Sequence, residues 1–301
     1  MLYIIQTALE LGFLYALVAM ALFLSYRILD IADLTTDGCF VLGAAVSVTM
    51  AVAGHPFLAV PAAMIAGMAA GFVTAFLQTR LGVPSILAGI VTNMGLYTIN
   101  LMVMGWSANV SLLKTETIFT LFESTGIGGS WHEAILAGFI TILMAVLLIL
   151  FLKTRLGLSI RATGDNLDMV RASSINPAFT ITVGLCISNA LTALSGAMVG
   201  QYQNAADING GTGIVVIGLA CLIIGETVLG RRTLIKGAIA TIVGSIIYRL
   251  IYAIVLYTKI MPVQGLRLIT AIIVALAIAF PTIKNWVLFQ KRKAFARKGG
   301  N

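Results

Sequence analysis

Long uncharged apolar stretches alternate with short polar segments along almost the whole chain. A membrane-spanning helix needs about 20 mostly apolar residues, whereas a transmembrane β-strand would give a short segment of alternating hydrophobicity. The pattern therefore predicts an all-α polytopic membrane protein with about nine spans (roughly eight to ten), some of them discontinuous or re-entrant. The predicted spans lie near residues 5–26, 37–53, 57–79, 84–105, 132–152, 178–200, 212–230, 234–257 and 265–285.

The composition agrees with this class and leaves no room for a soluble domain. Apolar residues make up 59% of the chain and charged residues only 10%, against roughly a quarter charged in soluble domains. We therefore treat residues 1–301 as a single transmembrane domain. The first apolar run carries Glu10 and no basic region precedes it, so we expect it to remain as a span and not to be cleaved as a signal peptide.

The distribution of basic residues predicts the orientation. With the N-terminus outside, all but four of the 19 Lys and Arg residues fall on one face, which the positive-inside rule makes cytoplasmic. The C-terminus is then cytoplasmic, and the basic tail 286–301 reads as an anchor near anionic membrane lipid. The net charge of +8 is explained in this way without a nucleic-acid partner. One of the four exceptions, Arg249, lies inside a span, and we expect its side chain to snorkel outward.

No motif for catalysis, nucleotide binding or metal binding occurs in the chain. A GxxxxGK[ST] phosphate loop, an HExxH and a GxSxG are all absent. The two histidines, His55 and His132, fall in predicted outer loops, and Cys39, Cys186 and Cys221 have no CxxC spacing. We therefore expect no catalytic residue, no metal ion and no cofactor on this chain, which argues against an intramembrane enzyme.

Residues 153–176 form a charged island between two uncharged stretches. In so apolar a chain, such an island indicates contact with a partner outside the membrane; an ordinary charged loop is the alternative. We expect Gly164 to break its first stretch, and Asp165 or Asn166 to cap a following helix of about two turns. One face of that helix would hold Leu167, Val170 and Ser174.

Two segments read as interrupted spans. Residues 30–45 bring three carboxylates into a glycine-punctuated apolar run, and residues 225–237 combine glycines with basic residues. Non-helical backbone at membrane depth is tolerated only where protein buries it or where it lines a cavity. Paired broken helices, one in each half of a chain, point to a transport pathway. The alternative is that both segments are turns between helices, with Asp37 and Glu226 in water.

Three motifs follow one another in the order of a known transporter family. A short glycine motif opens the second span, a segment of the form LG-x-x-IRA-T-G-x-N…A-x-x-I-N follows, and a G-x4-G-x-x-T motif comes later. The chain thus resembles the permease subunits of binding-protein-dependent ABC importers of the branched-chain amino acid/ribose type. The matching residues are Thr36-Asp37-Gly38, Leu42-Gly43-Ala44, Leu156-Gly157, Ile160 to Asn166, Ala172, Ile175-Asn176, Gly225, Gly230 and Thr233.

The second span departs from the usual pattern of that family. Amino acid and sugar members carry an Asn-x-Ala-His-Gly-like sequence there, whereas this chain reads Asp33-Leu-Thr-Thr-Asp37-Gly38. This is similar to a less characterised branch, some members of which are linked to amino acids, including aromatic ones. The departure therefore puts sugar or branched-chain specificity in doubt, while the resemblance implies an amino acid as solute, with aromatic and branched-chain amino acids as the candidates.

The resemblance also implies a machine of several subunits in the bacterial cytoplasmic (inner) membrane. A separate cytoplasmic ABC ATPase would hold ATP and Mg, a second permease copy would complete a dimer, and an extracytoplasmic solute-binding protein or lipoprotein would deliver the solute for import. Residues 153–176 would couple transport to the ATPase. The coupling residues would be Arg161, Ala162, Thr163, Gly164, Asp165, Asn166, Asp168 and Arg171.

The polar residues well inside the predicted spans are neutral, which suits a solute that crosses without ion coupling. Secondary transporters place carboxylates at mid-membrane, whereas here only Glu10, Asp37 and Glu226 approach apolar runs, toward their ends. An ion-coupled secondary transporter is the alternative function, and each neutral polar residue has helix–helix hydrogen bonding as its alternative role. The candidate pathway residues are Asp37, Gly38, Phe40, Gly43, Asn93, Tyr97, Asn100, Asn189, Gly225 and Gly230.

Overall fold

A computed structural model describes residues 2–113, 115–124, 126, 129–230, 233–258, 268, 271, 272, 274, 275 and 279. The helices are α1 (Leu2–Leu22), which continues as a π-helix (Phe23–Ile28), α2 (Thr36–Val52), α3 (Pro56–Thr79), α4 (Ser85–Val103), α5 (Ile118–Glu123), α6 (His132–Lys153), α7 (Arg155–Asp165), α8 (Leu167–Ala172), α9 (Pro177–Tyr202), α10 (Ile214–Leu229) and α11 (Leu234–Tyr257). A short 3₁₀ turn, Gly129–Trp131, precedes α6, and the two strands are β1 (Asn109–Ser111) and β2 (Ala205–Asp207).

Among the described residues, six helical segments are long and apolar enough to cross a membrane, so an all-α polytopic membrane protein is confirmed. They comprise α1 with its π-helical end, α3, α4, α6 with the preceding turn, α9 and α11. Two further predicted spans are the shorter apolar helices α2 and α10. The ninth predicted span, 265–285, lies outside the described residues apart from a few positions, and the tail 286–301 lies wholly outside them.

A long helix, an unwound stretch, a short helix and a second long helix follow one another twice: first as α1, α2 and α3, then as α9, α10 and α11. The two long leading helices run antiparallel, because Ser188 donates to the Ala21 carbonyl oxygen at 2.8 Å and Ser195 donates to that of Leu14 at 2.7 Å. Each trailing helix packs against the leading helix of the other set, α3 on α9 and α11 on α1. This arrangement is typical of inverted repeats, at whose interface transporters bind their solutes.

Small residues bring these helices into close contact. A Cβ on Gly67 or Gly71 of α3 would lie 2.5 Å from a carbonyl oxygen of α9, at Asn189 and Leu185 respectively. No side chain fits in that space, so the two backbones approach as closely as small residues allow. This contact between α3 and α9 sets the position of α9, whose polar side chains lie toward α2.

A two-stranded antiparallel sheet, absent from the sequence-based prediction, joins the loop after α4 to the loop after α9. Asn109 pairs with Asp207, and Ser111 pairs with Ala205. Strands of three residues carry too little hydrophobic alternation to be recognised in a sequence. The sheet holds residues 208–213 over the N-terminal end of α2, where Ile208 packs against Val41 and its neighbours.

Candidate functional site

The two short helices meet at their N-terminal ends through one carboxylate. Asp37, in the first turn of α2, accepts hydrogen bonds from the backbone N–H of Gly213 at 3.0 Å and of Val215 at 2.9 Å. Gly213 precedes α10 with φ of 84°, a left-handed conformation that glycine adopts without steric cost. A carboxylate here satisfies free N–H groups and complements the helix dipole of α10. The junction predicted from residues 30–45 is therefore a real break between helices, and Asp37 is not a side chain in open water.

A cavity of about 420 Å³ opens beside this junction. Five of the predicted pathway residues line it: Asp37, Gly38, Asn93, Tyr97 and Asn100. The remaining lining residues are Val41, Met94, Ile208, Asn209, Gly211 and Thr212. The cavity thus combines one carboxylate and three amide side chains with one aromatic ring, a polar lining that can bind a small hydrophilic or zwitterionic molecule.

Gly38 lies close to α4 in this lining. A Cβ at that position would lie 2.4 Å from Oδ1 of Asn93 and 3.0 Å from Cβ of Leu96, so a larger residue would have to displace side chains of α4. The Gly38 carbonyl oxygen accepts a hydrogen bond from Nδ2 of Asn100 at 3.1 Å. Oδ1 of Asn100 is buried and has no hydrogen-bond partner among the described residues. A buried polar atom without a partner is uncommon in native structures, and here it lies at the wall of the cavity.

The other five predicted pathway residues do not line this cavity. Phe40 is buried with its ring 5.9 Å from that of Tyr15. Gly43 packs against the carbonyl of Ala193, and Gly225 packs against that of Ala240. Burial in the apolar core therefore explains Phe40, and close packing of helices explains Gly43 and Gly225. The remaining two are Asn189, which is fully buried, and Gly230, which ends α10 with φ of 82°.

Asn189 leads to a buried carboxylate that the sequence interpretation missed. Its Nδ2 donates to Asp33 Oδ2 at 2.7 Å, and the other carboxylate oxygen of Asp33 accepts from the backbone N–H of Thr35 at 2.9 Å. Asp33 is only 2% exposed, so the expectation that acidic residues approach apolar runs only at Glu10, Asp37 and Glu226 was wrong. The signal was the Asp-x-Thr spacing, in which an aspartate bonds to the backbone two residues on.

The charged island 153–176 folds into two helices, α7 and α8. Asn166 caps α8, since its Oδ1 accepts from the backbone N–H of Asp168 and of Met169, each at 3.0 Å. Cap formation at this point was predicted, with Asn166 as one of two alternatives. The predicted shared face was wrong, because Val170 is fully buried while Leu167 and Ser174 are exposed.

Gly164 does not break the first stretch, as the sequence had suggested, but lies inside α7. A Cβ on it would lie 1.8 Å from the Ile28 carbonyl oxygen. One residue earlier, the hydroxyl of Thr163 lies 2.8 Å from that of Thr180 on α9. Ala162 is half-buried in the same helix. The C-terminal end of α7 is therefore fixed to the end of α1 and the start of α9, and the exposed coupling candidates are Asp165, Asn166, Asp168 and Arg171.

A second cavity, of about 320 Å³, lies where α7 meets the ends of α1 and α10. Arg161 and Asp165 of α7 line it together with Arg27, Glu226 and, from the second interrupted segment, Thr233. Arg27 Nε forms an ion pair with Glu226 Oε1 at 3.1 Å, so Glu226 is a buried, paired group and not a carboxylate in water. The charged island and residues 225–237 thus share one end of the bundle.

Arg249 also differs from its sequence-based expectation. Its guanidinium carbon lies 3.6 Å from the ring centroid of Tyr15 on α1, inside the bundle, and its side chain does not snorkel outward. The close helix packing of α11 on α1, with Ser245 donating to the Gly12 carbonyl oxygen at 2.6 Å, turns this face of α11 inward. Hydropathy alone cannot show which way a single residue of a span points.

Two kinds of comparison with known proteins agree with this architecture. Residues 4–281 match the family described as "Branched-chain amino acid transport system / permease component". A tyrosine transport system permease protein of Clostridioides difficile is 35% identical over 260 residues, which is 86% of this chain and 85% of the relative. An uncharacterized protein of Rickettsia prowazekii is 32% identical over 280 residues, 92% of this chain and 97% of the relative.

A more distant relative is the autoinducer 2 import system permease protein LsrC of Escherichia coli O9:H4. It is 30% identical over 181 residues, 58% of this chain and half of the relative's length. No solved structure matches the chain. The family match covers nearly the whole chain and includes both short helices, the Asp37 junction and the segment α7–α8. The chain therefore belongs to the branched-chain amino acid transport system permease family, and it is a multi-pass transport protein of the ABC importer type.

Proposed function

We propose that this chain is the permease of an ATP-driven importer for an amino acid, and that the solute crosses beside the Asp37 junction. The observation that supports this most directly is the meeting of two short helices at one carboxylate, with a polar cavity of about 420 Å³ beside it. Broken helices at the interface of inverted repeats are where other transporters bind their solutes. We propose Asp37, Gly38, Asn93, Tyr97 and Asn100 as the pathway residues.

The charge pattern of the cavity supports an amino acid over a sugar. The Asp37 carboxylate accepts backbone hydrogen bonds from the turn before α10 and from its first residues, and a carboxylate, with about four lone-pair sites, retains capacity for a solute ammonium group. The half-exposed ring of Tyr97 offers an apolar surface to a side chain. The Clostridioides difficile relative is named a tyrosine transport permease, which favours an aromatic amino acid.

The surface of α7 and α8 is the proposed contact for a cytoplasmic ATPase, which would bind the ATP and Mg. Asp168 and Arg171 lie 3.6 Å apart, and their side chains are 92% and 66% exposed. Gly164 and Thr163 tie the same segment to α1 and α9. A push on the exposed side of α7–α8 is therefore transmitted to the two leading helices as a rigid-body movement.

The remaining assembly follows from the family and from the basic residues. We propose nine spans in the bacterial inner membrane, with the N-terminus outside, and a dimer of permeases. A solute-binding protein or lipoprotein would dock on the outer loops near 106–131 and 201–211, which the β1–β2 sheet holds together. Labelling of a single cysteine at position 168, in a chain with its three native cysteines replaced, tests the orientation. Modification by an impermeant reagent outside intact cells would contradict it.

Uptake of radiolabelled amino acids tests the function. Cells with the intact operon should accumulate tyrosine or a branched-chain amino acid, and deletion of the permease gene should abolish this uptake. The Asn93→Leu variant should lose most uptake, whereas Ser85→Leu, at the first position of the same helix α4 and outside the cavity, should keep it. Uptake blocked by a sugar but by no amino acid would contradict the proposal. Uphill uptake by the purified chain in vesicles, driven by an ion gradient without ATP, would favour the ion-coupled alternative.

A further inference from the structure

A buried arginine in α11 has no role in the site described above. Arg249 is 9% exposed and lines a third cavity, of about 400 Å³, on the side of α10 that α1 and α11 enclose. Volumes of this size are typical of small-molecule sites. Its lining includes Tyr15, Thr212, Gly213, Tyr248 and Tyr252.

Nothing in the described part of the chain neutralises this cation. The guanidinium carbon lies 3.6 Å from the ring centroid of Tyr15 and 5.7 Å from that of Tyr252. Among the described residues no carboxylate lies within ion-pair distance of it, and its buried Nε has no hydrogen-bond partner. Cation–π contacts offset only part of the cost of burying a charge. Intramembrane cations of this kind face cavities and mark solute pathways.

This cavity adjoins the one at Asp37. Thr212 lines both of them, and Gly213, whose N–H donates to Asp37, lines the cavity of Arg249. The turn before α10 therefore has a carboxylate on one side and a guanidinium on the other. An amino acid zwitterion carries the complementary pair of charges.

We propose that Arg249 binds the carboxylate of the transported amino acid at an occluded stage of its passage. This inference rests on the proposed function, because it takes an amino acid as the solute. A guanidinium can hold a carboxylate through two parallel N–H···O bonds, and such pairs are strong where water is excluded. Tyr248 and Tyr252, the neighbours of Arg249 in this cavity, would contact an apolar or aromatic side chain.

Saturation-transfer NMR on the full-length permease in lipid nanodiscs tests this assignment, because it detects weak binding. The probes are tyrosine and tyramine, which differ only in the carboxylate. Wild-type protein should bind tyrosine about 10 to 100 times more tightly than tyramine. The Arg249→Met variant should bind both equally, Arg249→Lys should keep part of the preference, and Arg80→Met, an exposed arginine outside the cavity, should behave as wild type.

The inference and the proposed function fail in different ways. Equal binding of tyrosine and tyramine by wild-type protein would overturn the role of Arg249, and this result does not depend on any variant folding. An Arg249→Met protein that keeps the wild-type preference would overturn it as well. In either case, amino acid uptake by cells with the intact operon would leave the proposed function standing. Absence of all amino acid uptake by those cells would remove both.

Discussion

The ion pair between Arg27 Nε and Glu226 Oε1, 3.1 Å apart, joins the π-helical end of α1 to the last turn of α10. The Glu226 side chain is 6% exposed and the Arg27 side chain is 44% exposed. Loss of the ion pair would therefore cost more free energy at the buried carboxylate than at the arginine. Both residues border the cavity that α7 shares, through Arg161 and Asp165. The pair therefore connects one inverted repeat to the other at the end of the bundle where α7 and α8 lie.

We expect Arg27→Met to destabilise the permease by about 1–3 kcal/mol, because it removes a cation that pairs with a buried carboxylate. Adding Glu226→Gln should recover part of this loss, since the double variant no longer buries a carboxylate at this position. Thermal unfolding of the purified protein in detergent measures both effects, and Arg80→Met is the control for losing a surface arginine. A melting temperature unchanged by Arg27→Met would show that the pair contributes nothing.

We expect Gly164 to stabilise the permease, because a residue without a side chain lets α7 pack closely against the end of α1. A methyl group there would lie 1.8 Å from the Ile28 carbonyl oxygen, so Gly164→Ala must push α7 away from α1. We expect a loss of about 1–3 kcal/mol in the free energy of unfolding, as for other overpacked sites. Gly95→Ala is a matched control, because Gly95 lies inside α4 and a methyl group there would meet no atom of the described residues within 4 Å. Equal stability of the two variants would contradict the contact.

For Asp168 we expect the opposite: a substitution should leave stability unchanged and impair the contact with the ATPase. Its side chain is 92% exposed and paired only with the exposed Arg171, and such surface pairs contribute little to stability, about 0–1 kcal/mol. Asp168→Arg should therefore unfold like the wild type but lose co-purification of the ATPase and most of the uptake. Glu116→Arg, an exposed charge reversal in the loop before α5, should leave co-purification intact. An Asp168→Arg complex with unchanged ATPase content and uptake would exclude α8 as the contact.

Hydropathy predicted most of the scaffold, because the length of an apolar run is a local property of the chain. Eight of the predicted spans match described helices, including the short α2 and α10. The same local logic gave Asn166 as one of two candidate caps and placed Asp37 and Gly38 at a helix break. Five predicted pathway residues line one cavity because α2 and α4 carry them on facing sides.

What escaped prediction depends on contacts between distant segments. Burial of Asp33 depends on Asn189, 156 positions away. The inward direction of Arg249 depends on Tyr15 of α1. Phe40 and Gly43 were expected in the pathway because they follow Asp37 in sequence, but successive residues of a helix point to different sides. The sequence has no signal that would separate these sides when every face of a span is apolar.

The last prediction concerns the carboxylate at the helix junction. Asp37→Asn keeps the shape and one acceptor oxygen, but an NH2 group replaces the other oxygen and faces one of the two N–H donors, Gly213 or Val215, which then loses its acceptor. It also removes the negative charge that complements the dipole of α10 and that we assign to the solute ammonium group. We therefore expect a loss of about 1–2 kcal/mol in stability and a decrease in uptake of about tenfold or more.

Asp30→Asn is the matched control, because Asp30 is exposed, lies seven positions earlier and has φ of 56°, a conformation that asparagine tolerates. Thermal unfolding and initial uptake rates, measured on the same membranes, separate the two effects. Wild-type uptake by Asp37→Asn would mean that the junction only holds the helices together.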